Sequence, residues 1–239
     1  MRFNKRLQTF KAISFDLDDT LYSNRPVMMA IEQKMIAYFA QIMPDKASIF
    51  DHDFWSSFRL NAIEKQPKLA HDVVLSRLVS YRLGFLSVGL SEQEADHQAQ
   101  KALAYFIDCR SNFTVPEASV HLLESLSKKY PLIAISNGNV DTTKLGIDKY
   151  FSAVYHAGFQ PDDTLFHQKP LTTMFEKGCL HLGIKPTELL HVGDCGRSDI
   201  LGAHNAGCQT VWLSCYDVGQ PISTLPHVEL TDITQLNLL

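Results

Sequence analysis

KAISFDLDDT, residues 11–20, joins a short apolar run to an acidic cluster, and the fold is read outward from that junction. The run Lys11–Phe15 is long enough for a buried strand and too short for a helix. Four further runs have the same texture: 131–135 (PLIAI), 153–156 (AVYH), 189–192 (LLHV) and 209–213 (QTVWL). Helical patterns lie between them. From Glu117 to Tyr130 apolar residues recur at Val120, Leu123 and Leu126 before Pro131; another pattern opens after Pro170 and closes at Gly183. Alternation of this kind predicts a parallel sheet covered by helices, an α/β, Rossmann-like core.

Residues 22–113 read differently, as helix after helix with no convincing strand. Pro26 suits the first turn of a helix whose stripe is Met28, Ile31, Met35, Tyr38, Phe39 and Ile42, ending near Pro44. Ser91 and Glu94 form a capping box for another, through Ala99, Leu103 and Phe106. The expected organisation is therefore an α/β core of residues 1–21 and 114–239 interrupted by a helical insert of residues 22–113. Residues 21–135 separate Thr20 from Ser136, far more than one crossover of about 30 residues needs.

The chain has 239 residues, 45% hydrophobic and 20% charged, which excludes disorder and repetitive architectures and allows a sizeable core. A net charge of −4 offers no basic field for nucleic acid or an anionic membrane. No apolar run reaches the roughly 18 residues of a membrane span or resembles a leader, so a cytoplasmic protein without nucleic-acid or membrane partners is expected. Five cysteines with no C-x-x-C pattern point to reduced thiols rather than disulfides or zinc. The basic arm Arg2, Lys5, Arg6, Lys11 reads as a frayed, solvated terminus.

Three of the apolar runs end in polar residues at the same relative place: Phe15 before Asp16-Leu-Asp18-Asp19-Thr20, Ile135 before Ser136-Asn137-Gly138, Val192 before Gly193-Asp194. Strand carboxyl ends form the ligand crevice of an open α/β sheet, so these groups should converge. Asp16, Asp18, Asp194 and Asp199 crowded around one point would repel one another without a cation, and all-oxygen ligation suits Mg2+. Asp16 and Asp18 can divide the work, one as nucleophile and one as proton carrier. Taken singly each feature has a plainer reading: the acidic cluster is a turn whose short acids cap the backbone, Ser-Asn-Gly is a turn, and Lys169 before Pro170 is a solvated loop residue. His191 reads as a hydrogen-bonded core residue, His167, Cys195 and Arg197 as loop residues.

In their order, Asp16-x-Asp18-x-Thr20, Ser136, Lys169-Pro170 and Gly193-Asp194-x-x-x-x-Asp199, these motifs resemble those of the haloacid dehalogenase superfamily, most of whose members are Mg2+-dependent phosphatases. The resemblance implies that Asp16 is the nucleophile, forming an aspartyl-phosphate, and that Asp18 is the acid and then the base. It implies metal ligation through Asp16, the Asp18 carbonyl and Asp194, with Asp199 orienting the inner shell, and phosphate binding by Ser136, the backbone of Asn137 and Gly138, Lys169 and Thr20. The insert resembles a C1-type cap, which closes over the site and selects the substrate. Dehalogenation is disfavoured because Asp18 supplies a proton that a halide does not need.

The segments 15–27 and 131–139 and the cap residues His71-Asp72-Val73 are similar to bacterial phosphatases of riboflavin synthesis, which implies a ribitylamino-uracil phosphate or FMN as the small phosphorylated metabolite. A generic sugar-phosphate or nucleotide phosphatase, a phospho-accepting signalling module and a catalytically silent binding protein remain as alternatives. Arg25, after the first motif, and Arg77, on the cap helix, are candidate specificity residues that read equally as solvated arginines.

Overall fold

In the computed structural model, which describes residues 1–216 and 218–239, the apolar runs are the strands. Along the chain come β1 (Arg2–Phe3), β2 (Ala12–Phe15), α1 (Asn24–Ile42), α2 (His52–Lys65), α3 (Val73–Ser87), α4 (Glu92–Arg110), α5 (Glu117–Ser127), β3 (Leu132–Ser136), β4 (Ala153–His156), β5 (Gly158–Phe159), β6 (Leu165–Phe166), α6 (Thr173–Leu182), β7 (Leu189–Gly193), a π-turn (Gly196–Leu201) running into α7 (Gly202–Asn205), β8 (Gln209–Leu213) and β9 (Val228–Leu230). A seven-stranded sheet has the order β1-β9-β8-β7-β2-β3-β4. Its strands from β9 to β4 pair in parallel.

Strands β2, β3 and β7 are buried along their whole length, as expected where helices cover both faces of a sheet. Two polar residues within them satisfy each other: Ser14 lies opposite His191 in the β2–β7 register, and Ser14 Oγ is 2.9 Å from His191 Nδ1. Because β2 sits between β3 and β7, the residues that follow their carboxyl ends start from one edge of the sheet.

The chain divides into two compact units, one of residues 1–24, 114–138 and 142–239, the other of residues 25–113 with 139–141. The second is helical. Phe39, Phe50, Tyr81, Phe85, Ala99 and Phe106 belong to its buried core. The α4 capping box forms as its sequence predicts, with Glu94 N–H donating to Ser91 Oγ and Ser91 N–H donating to Glu94. In α6, Gly183 takes the left-handed conformation, φ 63°, that closes the helix.

One expectation needs correction. The N-terminal arm is tied down: β1 pairs antiparallel with β9, Asn4 Nδ2 donates to Glu229, and Lys11 pairs with Glu188 at 2.7 Å. A two-residue strand on a sheet edge leaves no periodic signal, so composition alone read it as solvated. The β5–β6 hairpin escaped for the same reason. All five cysteines are free. No helix among the described residues is long and apolar enough to cross a membrane.

Candidate active site

Strand β2 delivers Asp16 to the carboxyl edge of the sheet, where its N–H donates to Val192 O at 2.9 Å and so continues the ladder one residue beyond β2. The next residues leave the strand through Asp19, whose φ of 56° places it in the left-handed region that aspartate tolerates better than most residues. Asp19 Oδ1 accepts from the Asn24 N–H at 2.8 Å, so this acid shapes the turn and anchors its exit. Asp18 and Tyr22 face each other across that turn, the Tyr22 hydroxyl donating to Asp18 Oδ1 at 2.7 Å.

Lys169, one residue before Pro170, is 4% exposed and is the hub of the site. Its Nζ donates to Asp16 Oδ1 at 2.6 Å, to Asp199 Oδ1 at 2.6 Å and to the Ile135 carbonyl at 2.7 Å. All three ammonium hydrogens therefore have acceptors. The loop that carries Lys169 is clasped by Asn137: its Oδ1 accepts from Lys169 N–H at 2.7 Å and its Nδ2 donates to the Lys169 carbonyl at 3.0 Å. Ser136, buried at the end of β3, accepts from Gly138 N–H through Oγ at 3.0 Å. The Gly138 amide is thus engaged within its own turn.

Asp199 belongs to the π-turn after β7. Its Oδ2 accepts from Cys195 N–H at 2.9 Å and its Oδ1 lies 3.2 Å from His191 Nε2. Gly193 makes this approach possible: a Cβ there would stand 2.3 Å from Asp199 Cγ. Asp194 is held from the other side, its carbonyl accepting from Trp212 Nε1 at 2.6 Å. Thr20 Oγ1 lies 3.4 Å from both Asp16 Oδ2 and Asp194 Oδ1.

Ligand atoms of Asp16, Asp194 and Asp199 lie within 4.8 Å of one another. Burial, then the charge of Asp199, pushes the Asp194 carboxyl up to about 7. Burial also raises Asp16, against the pull of Lys169, while Asp199 and Asp194 push it further up. Asp199 stays below the ordinary carboxylate range: burial opposes its charge, but Lys169 and His191 outweigh that. Burial likewise works against the Lys169 ammonium, and the two carboxylates more than offset it. Three carboxylates against one ammonium leave the cluster short of positive charge, and an all-oxygen donor set fits a hard divalent cation.

Sequence reasoning named most of these residues. The side chains of Asp16, Thr20, Lys169, Asp194 and Asp199 come together, and the Asp18 carboxylate, which accepts from Tyr22, is not one of the three that cluster within 4.8 Å. Arg25 and Arg77 lie in the helical unit, on the wall of a cavity there. Tyr22, Trp212 and the contact of His191 with Asp199 were missed. Tyr22 lies four residues after Asp18 on the same turn, a spacing that could have found it; Trp212 gave no local signal, since it depends on β8 lying beside β7.

The family model for haloacid dehalogenase-like hydrolases matches residues 10–207. A 5-amino-6-(5-phospho-D-ribitylamino)uracil phosphatase of Escherichia coli (strain K12) is 34% identical over 244 residues, covering 100% of both chains. A phosphoglycolate phosphatase of Neisseria gonorrhoeae is 28% identical over 222 residues, covering 87% of this chain and 81% of its own. Among solved structures, a 2-haloacid dehalogenase from Pseudomonas syringae pv. Tomato superposes with a TM-score of 0.86 at 23% identity, covering 96% of this chain and 97% of its own, a likeness of fold. The chain belongs to the haloacid dehalogenase-like hydrolases, and it is an enzyme of their phosphatase branch.

Proposed function

We propose that this enzyme is a Mg2+-dependent phosphomonoester hydrolase that works through an aspartyl-phosphate on Asp16, with 5-amino-6-(5-phospho-D-ribitylamino)uracil or FMN as its substrate. The observation that carries the reading is Lys169 Nζ bridging Asp16 and Asp199 at 2.6 Å each, beside a third carboxylate. That is a nucleophile held next to a positive charge, which must exchange one of its three acceptors for a phosphate oxygen if it is to bind one directly. The relative of this name, alike over the full chain, supports the substrate.

Asp16, Asp194 and Asp199, with the Asp18 carbonyl, would hold Mg2+, which supplies charge neutralisation for the phosphoryl oxygens. The chain's own groups do the rest. An oxygen of Asp16 attacks phosphorus; the ester P–O bond breaks, and Asp18 gives its proton to the departing alkoxide. Water then attacks the aspartyl-phosphate, Asp18 takes a proton from it, and the bond from Asp16 to phosphorus breaks to release phosphate. Tyr22, donating to Asp18, fixes the rotamer in which this carboxyl works. Lys169 and Thr20 keep Asp16 from turning away. Ser136 and the turn at Asn137 and Gly138 receive the phosphate, and the Gly138 amide must exchange Ser136 Oγ for a phosphate oxygen if it takes part. The helical insert selects the substrate, with Arg25 and Arg77 as reading residues.

The test is a panel of phosphomonoesters assayed with Mg2+, including FMN and the ribitylamino-uracil phosphate, on wild type and Asp16→Asn. The expected result is highest kcat/KM for one of those two, and loss of all turnover in a variant whose circular dichroism is unchanged. Residual hydrolysis of more than a small fraction in Asp16→Asn removes the nucleophile from its role, and a sugar phosphate or nucleotide leading the panel removes the substrate.

A further inference from the structure

His191 is a buried titratable side chain to which the reaction above gives no task. It lies in the middle of β7, 0% exposed, with Ser14 at one ring nitrogen and Asp199 at the other. The Phe175 ring of α6 meets the imidazole edge-on, with 4.9 Å between centroids and 89° between planes, so the ring has a wall as well as two partners. Strand alternation sets His191 on the same face of β7 as Gly193, whose missing Cβ leaves the space that Asp199 fills. Gly193 admits the carboxylate, and His191 meets it.

The contacts form a circuit. Ser14 Oγ is 2.9 Å from His191 Nδ1, His191 Nε2 is 3.2 Å from Asp199 Oδ1, and Lys169 Nζ joins that oxygen to Asp16 Oδ1 at 2.6 Å each. Ser14 is on β2 and Asp16 just past its end, so the chain of bonds leaves the strand and returns to it two residues on. The direction of each bond follows from what its atoms can do. Burial opposes the Asp199 charge and Lys169 outweighs it, so this carboxylate offers no hydrogen and the imidazole must donate from Nε2. Burial, aided by the Lys169 ammonium, keeps the ring neutral, so Nδ1 accepts and the Ser14 hydroxyl donates. Asp199 thus receives Lys169 and His191 at Oδ1 and the Cys195 N–H at Oδ2. Three donors from three segments leave it one orientation. A serine and a histidine buried for the fold alone could be exchanged for an apolar pair of the same shape at little cost.

We propose that His191 is a positioning residue: its Nε2–H, held in register by Ser14, sets the orientation of Asp199 and through it the place of Lys169 and Asp16. The proposal rests on the function proposed above for the roles of those three residues. His191 acts on the reaction only through Asp199, and on the affinity of the carboxylates for Mg2+ in the same way.

Two measurements without turnover test it. In EDTA at neutral pH, 15N–1H spectra of enzyme carrying 15N-labelled histidine should place the hydrogen on Nε2 in the imidazole whose signal His191→Gln removes, and Asp199→Asn should shift that signal. Calorimetric titration with Mg2+ alone should give an affinity about 10–100-fold weaker in His191→Leu than in the wild type. His191→Gln should recover most of it, because its amide N–H lies as many bonds from Cβ as the ring Nε2 does. In steady-state kinetics the Leu variant should lose kcat by a similar factor with KM little changed, and Gln should again recover most of the loss. Circular dichroism confirms that each variant is folded. A hydrogen on Nδ1 alone, wild-type Mg2+ affinity and kcat in folded His191→Leu, or a Gln variant no better than Leu overturns the proposal. Should the Leu variant not fold, Ser14→Ala decides, since it frees the ring to turn: weaker Mg2+ binding upholds the proposal and wild-type binding overturns it. A wild type that neither binds Mg2+ nor hydrolyses the phosphomonoester panel rejects the function proposed above, whereas Mg2+-dependent hydrolysis indifferent to His191 rejects only the positioning role.

Discussion

Replacing Lys169 by Met keeps the length and apolar stem of the side chain while removing the ammonium that satisfies Asp16, Asp199 and the Ile135 carbonyl. All three acceptors are buried around it, and breaking a buried ion pair from one side costs about 3–5 kcal/mol because the remaining charges stay desolvated. For a protein of about 150–250 residues each kcal/mol moves Tm by about 2–4 °C, so the loss should be about 6–20 °C in EDTA. The pH dependence has a definite sign. The Lys169 pKa is raised on folding, so its contribution is complete below the unfolded value of about 10.4 and fades above the folded one. The Asp199 pKa is depressed, so its contribution is complete above about 3.9 and fades as pH falls through the folded value. These two contributions are therefore both complete at pH 8, where the gap between wild type and variant is wide. It should narrow between pH 8 and pH 5, because without the ammonium the buried carboxyls of the variant take up protons earlier. Melting curves by circular dichroism at the two pH values measure this. A variant that melts with the wild type, or a gap that is the same at pH 5 and pH 8, refutes the charge argument.

Asp18→Asn should slow alkyl phosphate esters by about 10²–10⁴-fold and activated aryl esters far less, since aryl oxides leave with little protonation; equal losses in steady-state kinetics would deny Asp18 the acid role. Asp194→Ala should raise the Mg2+ concentration for half-maximal activity, and in the wild type that concentration should climb about tenfold per pH unit below 7, where a proton competes for the Asp194 carboxylate; a flat Mg2+ requirement from pH 8 to pH 6 rejects this ligand. Gly193→Ala forces a Cβ against Asp199, so it should cost about 1–3 kcal/mol in chemical denaturation and lower kcat by displacing that carboxylate; wild-type kcat in this variant would mean that the placement of Asp199 is not critical.

How far the sequence could be read depended on whether a feature was local. The parallel strands were legible because a buried strand is an apolar run, and β4 and β8 begin and end where their runs do. Asp16, Ser136, Lys169, Asp194 and Asp199 were legible because each ends or follows a strand, or precedes a proline, in a pattern that recurs within the superfamily. β1 was not, since two residues gain a strand only from β9, more than 200 positions away. Nor was the clasp of Asn137 on the Lys169 backbone, which read as a turn residue although its side chain fixes the loop that presents the lysine.

Fold and reaction separate at one proton. A dehalogenase and a phosphatase of this superfamily can share the sheet, the aspartate nucleophile and the lysine beside it, so likeness of fold does not choose between carbon and phosphorus as the atom attacked. The leaving group does. A halide departs as a stable anion, whereas an alkoxide leaving phosphorus needs a proton at the moment of bond cleavage. Asp18 is a carboxyl two residues from Asp16, the proposed nucleophile; it is not one of the three carboxylates that cluster at Asp16, Asp194 and Asp199, and it accepts from the Tyr22 hydroxyl at 2.7 Å. Separation from that cluster matters, because a carboxylate tied to a cation is a poor proton carrier. The turn therefore divides its two acids: the raised, lysine-bound Asp16 among the charges, and Asp18 on the tyrosine. A halide-releasing enzyme would have no use for the second, and its presence on this turn is the feature of the site that most strongly favours phosphoester chemistry.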